Sequence, residues 1–183
     1  MSDPKVEGLK WADIRSKTMK GRNYLDHIRD KTSVYANYTD YTPKIDVMRQ
    51  IQELITVNNK RVNILAIGAE WCKDCALNVP RMLKIIEAVQ SSNINLEVIY
   101  GVMVNALKKK GDLYWHKEKS PFEATDPRFG LTAIPTFYVF IDGEYFGRIV
   151  EGPENFDTLE EELLNSLKPI QNSVTFSRTS NSG

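Results

Sequence analysis

A chain of 183 residues with 42% hydrophobic content can build one ordinary domain with some decoration, and it is too apolar for wholesale disorder. Its 24 basic residues balance 24 acidic ones, so net charge offers no pull toward nucleic acid or an anionic membrane. Only two cysteines are present, three positions apart, which argues against a disulfide-stapled secreted scaffold and for redox or metal chemistry in a reducing compartment.

The first residues hold no apolar run of signal-peptide length, and no window approaches the ~20 apolar residues of a membrane span, so a cytoplasmic location is expected. Residues 10–30 place Trp11 and Ile14, then Leu25 and Ile28, at weak helical spacing. Residues 31–42 are polar and Tyr-rich and read as a connection. From Pro43, Ile45, Met48, Ile51, Leu54 and Ile55 recur at three- and four-residue steps, which predicts an amphipathic helix over 43–57. Val62 to Gly68 is a short β-branched run of buried-strand type, and the cysteines follow it directly. Residues 73–90 are helical in pattern around Pro80, and 94–104 read as a second strand. Strand, helix and strand with short links imply a right-handed crossover and parallel pairing.

Residues 105–121 fit no element, including the solvated run Lys108-Lys109-Lys110, and read as an insertion or lid bordering the site. A short helix is expected from Pro127 to Leu131. The runs 136–140 and 145–150 flank Asp142-Gly143, a hairpin signal because both turn positions need positive φ. Asn155 is expected to cap a last helix carrying Phe156, Leu159, Leu163, Leu164 and Leu167, with Pro169 stopping it and 170–183 forming a flexible tail. The order predicts an α/β fold with a mixed sheet and helices on both faces.

The chemistry centres on Trp71-Cys72-Lys73-Asp74-Cys75. If a helix starts just after the strand, Cys72 falls at its outer end and Cys75 one turn deeper, with both sulfurs on one side. Unpaired N–H groups and the positive end of the helix dipole then favour a thiolate at Cys72, the attacking sulfur, while a shielded Cys75 resolves the mixed disulfide. Lys73 favours that thiolate and Asp74 opposes it. A zinc site is the main rival reading, but only His27 and His116 could add nitrogen ligands, neither at finger-like spacing. An inert pair is the other.

The sequence resembles the thioredoxin family at Ala69-Glu70-Trp71-Cys72-Lys73-Asp74-Cys75, which differs from that family's Ala-Glu-Trp-Cys-Gly-Pro-Cys only at the two middle residues. Pro80 matches the helix-kinking proline, and Phe129 to Thr136 resembles the segment with the family's cis-proline. Asp142-Gly143-Glu144 matches its hairpin turn, and Gly152 the glycine beyond its last strand, displaced by one residue. The resemblance implies a thioredoxin fold over 60–169, interrupted at about 105–121, with 1–59 as an N-terminal helical extension.

It also implies a thiol–disulfide oxidoreductase with Cys72 and Cys75 as catalytic residues and no cofactor or metal. Trp71 would rim the substrate groove; Ala133, Ile134, Pro135 and Gly152 would bind substrate, Ile134 through its backbone. Partners would be disulfide-containing proteins or low-molecular-weight thiols, with a thioredoxin-reductase-like electron donor. Two departures stand out. The family's buried aspartate, six residues before the first cysteine, is Ala66 here, and its paired lysine aligns with Tyr100. Glu70 is then a candidate proton carrier, or a surface residue. A thioredoxin-like module that binds without turnover is the alternative function.

Overall fold

The structure is a computed structural model that describes residue 6, residues 8–168 and residue 170. Its sheet contains β1 (Met19–Lys20), β2 (Val62–Ile67), β3 (Ile94–Ile99), β4 (Thr136–Ile141) and β5 (Glu144–Val150), in the order β1-β3-β2-β4-β5. The middle position of β2 explains its unbroken apolar run, since both of its faces are covered. β2 lies parallel to β3, with Ile64 opposite Leu96, and antiparallel to β4, with Ile64 opposite Val139. β4 turns into β5 through Asp142 and Gly143 at φ +52° and +87°, the left-handed geometry that the Asp-Gly pair supplies cheaply.

Six helices accompany the sheet among the described residues: α1 (Gly21–Ile28), α2 (Thr32–Thr39), α3 (Ile45–Val57), α4 (Lys73–Ala88), α5 (Phe122–Thr125) and α6 (Leu159–Leu167). α4 makes the crossover between β2 and β3. α3 buries Val47, Met48, Ile51, Leu54 and Ile55, the stripe its sequence spacing predicts, and packs on α6, which buries Leu159, Leu163 and Leu167. No helix among the described residues is long and apolar enough to cross a membrane.

The segment before β2 is stitched into this architecture. β1 pairs antiparallel with β3, Met19 opposite Val98. Trp11 N–H donates to the Gly143 carbonyl at 2.8 Å, and its ring meets Phe140 edge-on at 5.3 Å. Phe140 and Tyr138 share one face of β4 by strand alternation, and Tyr138 stacks edge-on with Phe129 at 5.6 Å. Glu123 on α5 closes the seam: it is fully buried and accepts from Arg15 N at 2.7 Å, Ser16 N at 2.9 Å and Ser16 Oγ at 2.5 Å.

Five local expectations are corrected. Residues 32–39 form α2 rather than a connection; it packs on α4, and Asn37 Nδ2 donates to the Ala76 carbonyl at 2.9 Å. Residues 10–30 hold a 3-10 turn (Trp11–Asp13), β1 and α1, so only their second half is helical. β3 stops at Ile99 because Gly101, at φ +107°, turns the chain away. The short helix lies at Phe122–Thr125, while Pro127–Phe129 is a turn closed by Phe129 N–H on the Asp126 carbonyl. α6 begins after Thr158, and Asn155 instead bonds Glu162 through both its backbone N–H and its side chain. Ile170 is buried; Pro169 and residues 171–183 lie outside the described residues.

Burial pushes the Glu123 carboxyl up, but the donors on Ser16 and Arg15 outweigh burial and hold it below the ordinary value of 4.5. A carboxyl made more acidic by folding stabilises the fold above its unfolded value, and that contribution drains away as pH falls through the lower folded value. Glu123→Gln is therefore expected to cost about 1.5–3 kcal/mol at neutral pH in urea unfolding. The variant should also lose less stability than the parent when pH drops below 4.5.

Candidate active site

β2 delivers the chain to Gly68, which stays tied to the chain leaving β3: its N–H donates to Ile99 at 2.9 Å, and its carbonyl accepts from Val102 at 3.2 Å. Four residues later Cys72 stands as the N-cap of α4, with extended backbone at φ −82°, ψ 120°. Its Sγ accepts the Cys75 N–H at 3.1 Å, so a sulfur takes the place of the usual capping oxygen. Cys72 is 7% exposed and Cys75 not at all, the outer and inner placement that the spacing implies. Both are free thiols.

The loop before β4 closes on the same sulfur. The Ile134–Pro135 peptide is cis, and the Cys72 thiol donates to the Ile134 carbonyl at 3.3 Å. The loop is braced on both sides: Thr136 Oγ1 donates to the Ala133 carbonyl at 2.8 Å, and Glu151 N–H to the Pro135 carbonyl at 2.6 Å. Over Cys72 opens a cleft of about 340 Å³, lined by Trp71, Ala133, Ile134, Tyr114 and Glu151 among others. A larger hollow of about 430 Å³, beside Arg22 and Gln90, contains neither sulfur.

Three aromatic residues stand at the cleft, Trp71, Tyr114 and Trp115. Trp71 is 53% exposed and spends its indole N–H on the Val102 carbonyl at 2.9 Å, so its remaining surface is apolar. Tyr114 belongs to the segment 105–121. Its neighbour Trp115 is buried, bridges Val104 and donates to the Leu131 carbonyl at 2.8 Å. Tyr114 rests edge-on against that anchor at 4.6 Å, with Lys108 Nζ 4.4 Å from its ring. The segment thus borders the cleft through Tyr114 and Trp115.

The electrostatics separate the two thiols. Burial pushes Cys75 well above the ordinary thiol value, and a hydrogen bond to Cys72 and the charges of Cys72 and Asp74 push the same way; only the Ala69 backbone opposes. Glu70, half-exposed, bonds His27 Nε2 at 2.5 Å and pairs with Lys31. Burial raises its carboxyl, but Lys31 and His27 prevail and hold it below the ordinary range. Ala66 is fully buried, and the hydroxyl of Tyr100 meets that of Tyr24 at 3.2 Å.

Of the residues singled out by sequence, Trp71, Cys72, Ala133 and Ile134 line the cleft, with Cys75 and Pro135 buried behind them. Pro80 lies buried inside α4. Gly152 sits against Asn78, its N–H on the Val150 carbonyl, and the cleft is lined by Glu151 instead. Sequence reasoning missed Tyr114, Glu151, His27 and Lys31; the Tyr-Trp pair inside a Lys-rich segment was the available signal for the first. No group of three or more His, Cys, Asp or Glu residues able to hold a metal ion occurs among the described residues.

The family model described as Thioredoxin matches residues 19–101. The match starts at β1 and ends just beyond β3, so it includes both cysteines and stops short of Ile134-Pro135. Similar solved structures include an HIV epitope-scaffold, 16% identical over 93% of this chain and 94% of that one, with a TM-score of 0.48. Another is a protein of unknown function from Pseudomonas aeruginosa, 16% identical over 93% of this chain and 94% of that one, with a TM-score of 0.42. A comparison with curated proteins gives no match.

Gly68 offers a test of the site's packing. A Cβ there would stand 2.9 Å from both Cys75 Sγ and Tyr100 Cε1, closer than such contacts allow. Gly68→Ala is expected to destabilise by about 1–3 kcal/mol through overpacking, read as a lowered thermal midpoint. A larger share of Cys75 should then become accessible to thiol reagents.

Proposed function

The chain is a thioredoxin-like protein, and on that premise we propose that it is a thiol–disulfide oxidoreductase working through Cys72 and Cys75. The observation that carries this reading is the pairing of one sulfur at the cleft, capping α4 and receiving the Cys75 N–H, with a second, fully buried free thiol one helical turn behind it. A backbone N–H aimed at Cys72 and the start of a 16-residue helix both favour negative charge on that sulfur.

The reaction balances in two exchanges. The Cys72 thiolate attacks one sulfur of a substrate disulfide; the substrate S–S bond breaks, and the departing thiolate takes up a proton. The mixed disulfide is then attacked by Cys75, which gives up its proton; a Cys72–Cys75 bond forms, and the second substrate sulfur leaves as a thiol. The substrate is reduced by two electrons and the protein oxidised by two. A dithiol donor of the thioredoxin-reductase class returns the pair to its starting state by the reverse exchange.

Substrates in this reading are disulfides of proteins or of low-molecular-weight thiols, met in the cytoplasm. An extended substrate segment pairs with the backbone at Ile134, while Trp71 and Tyr114 offer apolar faces on the cleft. The 105–121 segment narrows the choice of substrate, because Tyr114 and Trp115 fill space beside Cys72.

Cys75→Ser is expected to leave attack intact and abolish resolution, so covalent adducts on Cys72 should accumulate with a reagent disulfide and with cell extract. Cys72→Ser should form none, since Cys75 is buried and its thiol pushed up. Non-reducing gels and mass spectrometry read the outcome. Absence of adducts from the Cys75→Ser protein at neutral pH would leave a groove that binds without turnover as the better account.

A further inference from the structure

Resolution of a mixed disulfide requires Cys75 to lose its proton in a place that resists charge. The residue is fully buried, and the groups on its own helix, Cys72 and Asp74, both oppose ionisation. The Ala69 backbone gives some relief, and further help has to come from across the gap. There the ring of Tyr100, just after β3, comes near the sulfur on the far side of Gly68. One point, the position of a Cβ on Gly68, is 2.9 Å from Cys75 Sγ and 2.9 Å from Tyr100 Cε1, so the two atoms are separated by no more than twice that distance. Cε1 is bonded to the ring carbon that bears the hydroxyl, and the edge of an aromatic ring carries its positive potential.

The hydroxyl itself is held from behind. Tyr24 on α1 is fully buried, its ring meets that of Tyr100 edge-on at 5.6 Å and 86°, and the two oxygens are 3.2 Å apart. Two hydroxyls bring two protons, and the single bond between them uses one. Among the described residues, neither oxygen has a second hydrogen-bond partner. Tyr24 is fully buried and Tyr100 partly so, and a donor left over in such a place gains from any acceptor that forms nearby. A thiolate at Cys75 is such an acceptor, and it exists only during resolution.

We propose that the Tyr24–Tyr100 hydroxyl pair stabilises the Cys75 thiolate as it forms, with Tyr100 facing the sulfur and Tyr24 fixing its orientation. The inference rests on the exchange reaction proposed above. The pair lends a hydrogen bond and no net proton: the proton leaving Cys75 ends on the departing substrate thiolate. Burial, foremost, keeps both hydroxyls protonated far beyond neutral pH, so the donor is always charged with its hydrogen. The titratable groups around Cys75 are Cys72 and Asp74 on α4 and the two tyrosines opposite. Glu70 lies beyond them and is itself held by His27 and Lys31.

The test isolates the second exchange. Cys72 is loaded with 2-nitro-5-thiobenzoate, and release of the coloured thiolate by Cys75 is followed against pH in a stopped-flow instrument. Tyr100→Phe, which removes one oxygen, is expected to slow release about tenfold at neutral pH and move the profile's midpoint up by about one unit. Loading of Cys72, measured in a Cys75→Ser background, should not change, whereas a purely structural role would disturb both steps. Tyr24→Phe should act in the same direction and carries the test alone if Tyr100→Phe does not fold. Profiles of the variants that superimpose on the parent's overturn the proposal. A parent adduct that never releases its chromophore overturns the exchange reading itself, and the role of the pair with it.

Discussion

The site depends on one contact: the N–H of Cys75 pointing at the sulfur of Cys72, 3.1 Å away. That bond is possible only because β2 ends and α4 begins within a few residues, leaving Cys72 in extended backbone and Cys75 in the first helical turn. Everything else near the sulfurs serves this geometry. Gly68, with no side chain, lets the inner thiol and a tyrosine ring approach the same spot. The cis Ile134–Pro135 loop brings a carbonyl to 3.3 Å from the outer sulfur. A capping oxygen in place of Cys72 would hold the helix equally well, so folding alone does not call for a sulfur there.

The region before β2 shapes the site from the other side. α1 supplies Tyr24 against Tyr100 and His27 beside Glu70, and Lys31 completes the cluster on that carboxylate. Glu70 is thereby committed to Lys31 and His27, which makes it a poor carrier of protons for the buried thiol. Where the thioredoxin resemblance expects a buried acid and a lysine, this chain has Ala66 and Tyr100, an uncharged arrangement. An isolated charge in that position would be expensive, and the tyrosine pair needs no counter-ion.

Much of this was legible in the residues. The strand at 62–67, the helix at 45–57, the Asp-Gly hairpin and the order of the two cysteines follow from periodicity, turn chemistry and spacing. α2 did not, because its inward face is built from tyrosines whose hydroxyls read as polar: Tyr38 reaches Glu87, at 2.5 Å, while its ring packs with Tyr35. β1 was invisible for a different reason. Two residues carry no alternation, and only pairing with β3 makes them a strand. The start of α6 was misread at Asn155, where a buried carboxylate, Glu162, captures the residue that resembles a cap. At the site, Trp71 and Cys72 were found from the motif itself, and Ala133 and Ile134 from the resemblance around Pro135. Tyr114 and Glu151 were not, since only the closure of the 105–121 segment and the β5 exit around the Pro135 loop brings them to Cys72.

The central claim is that the two sulfurs can exchange a bond reversibly. Equilibrating the intact protein in buffers of graded reduced and oxidised glutathione, with acid quenching and mass spectrometry, tests it most directly. The account predicts a single transition from the dithiol to an internal Cys72–Cys75 disulfide, with glutathione adducts scarce throughout. Thiols that stay free at every ratio, or adducts on Cys72 that persist without closing onto Cys75, would contradict it.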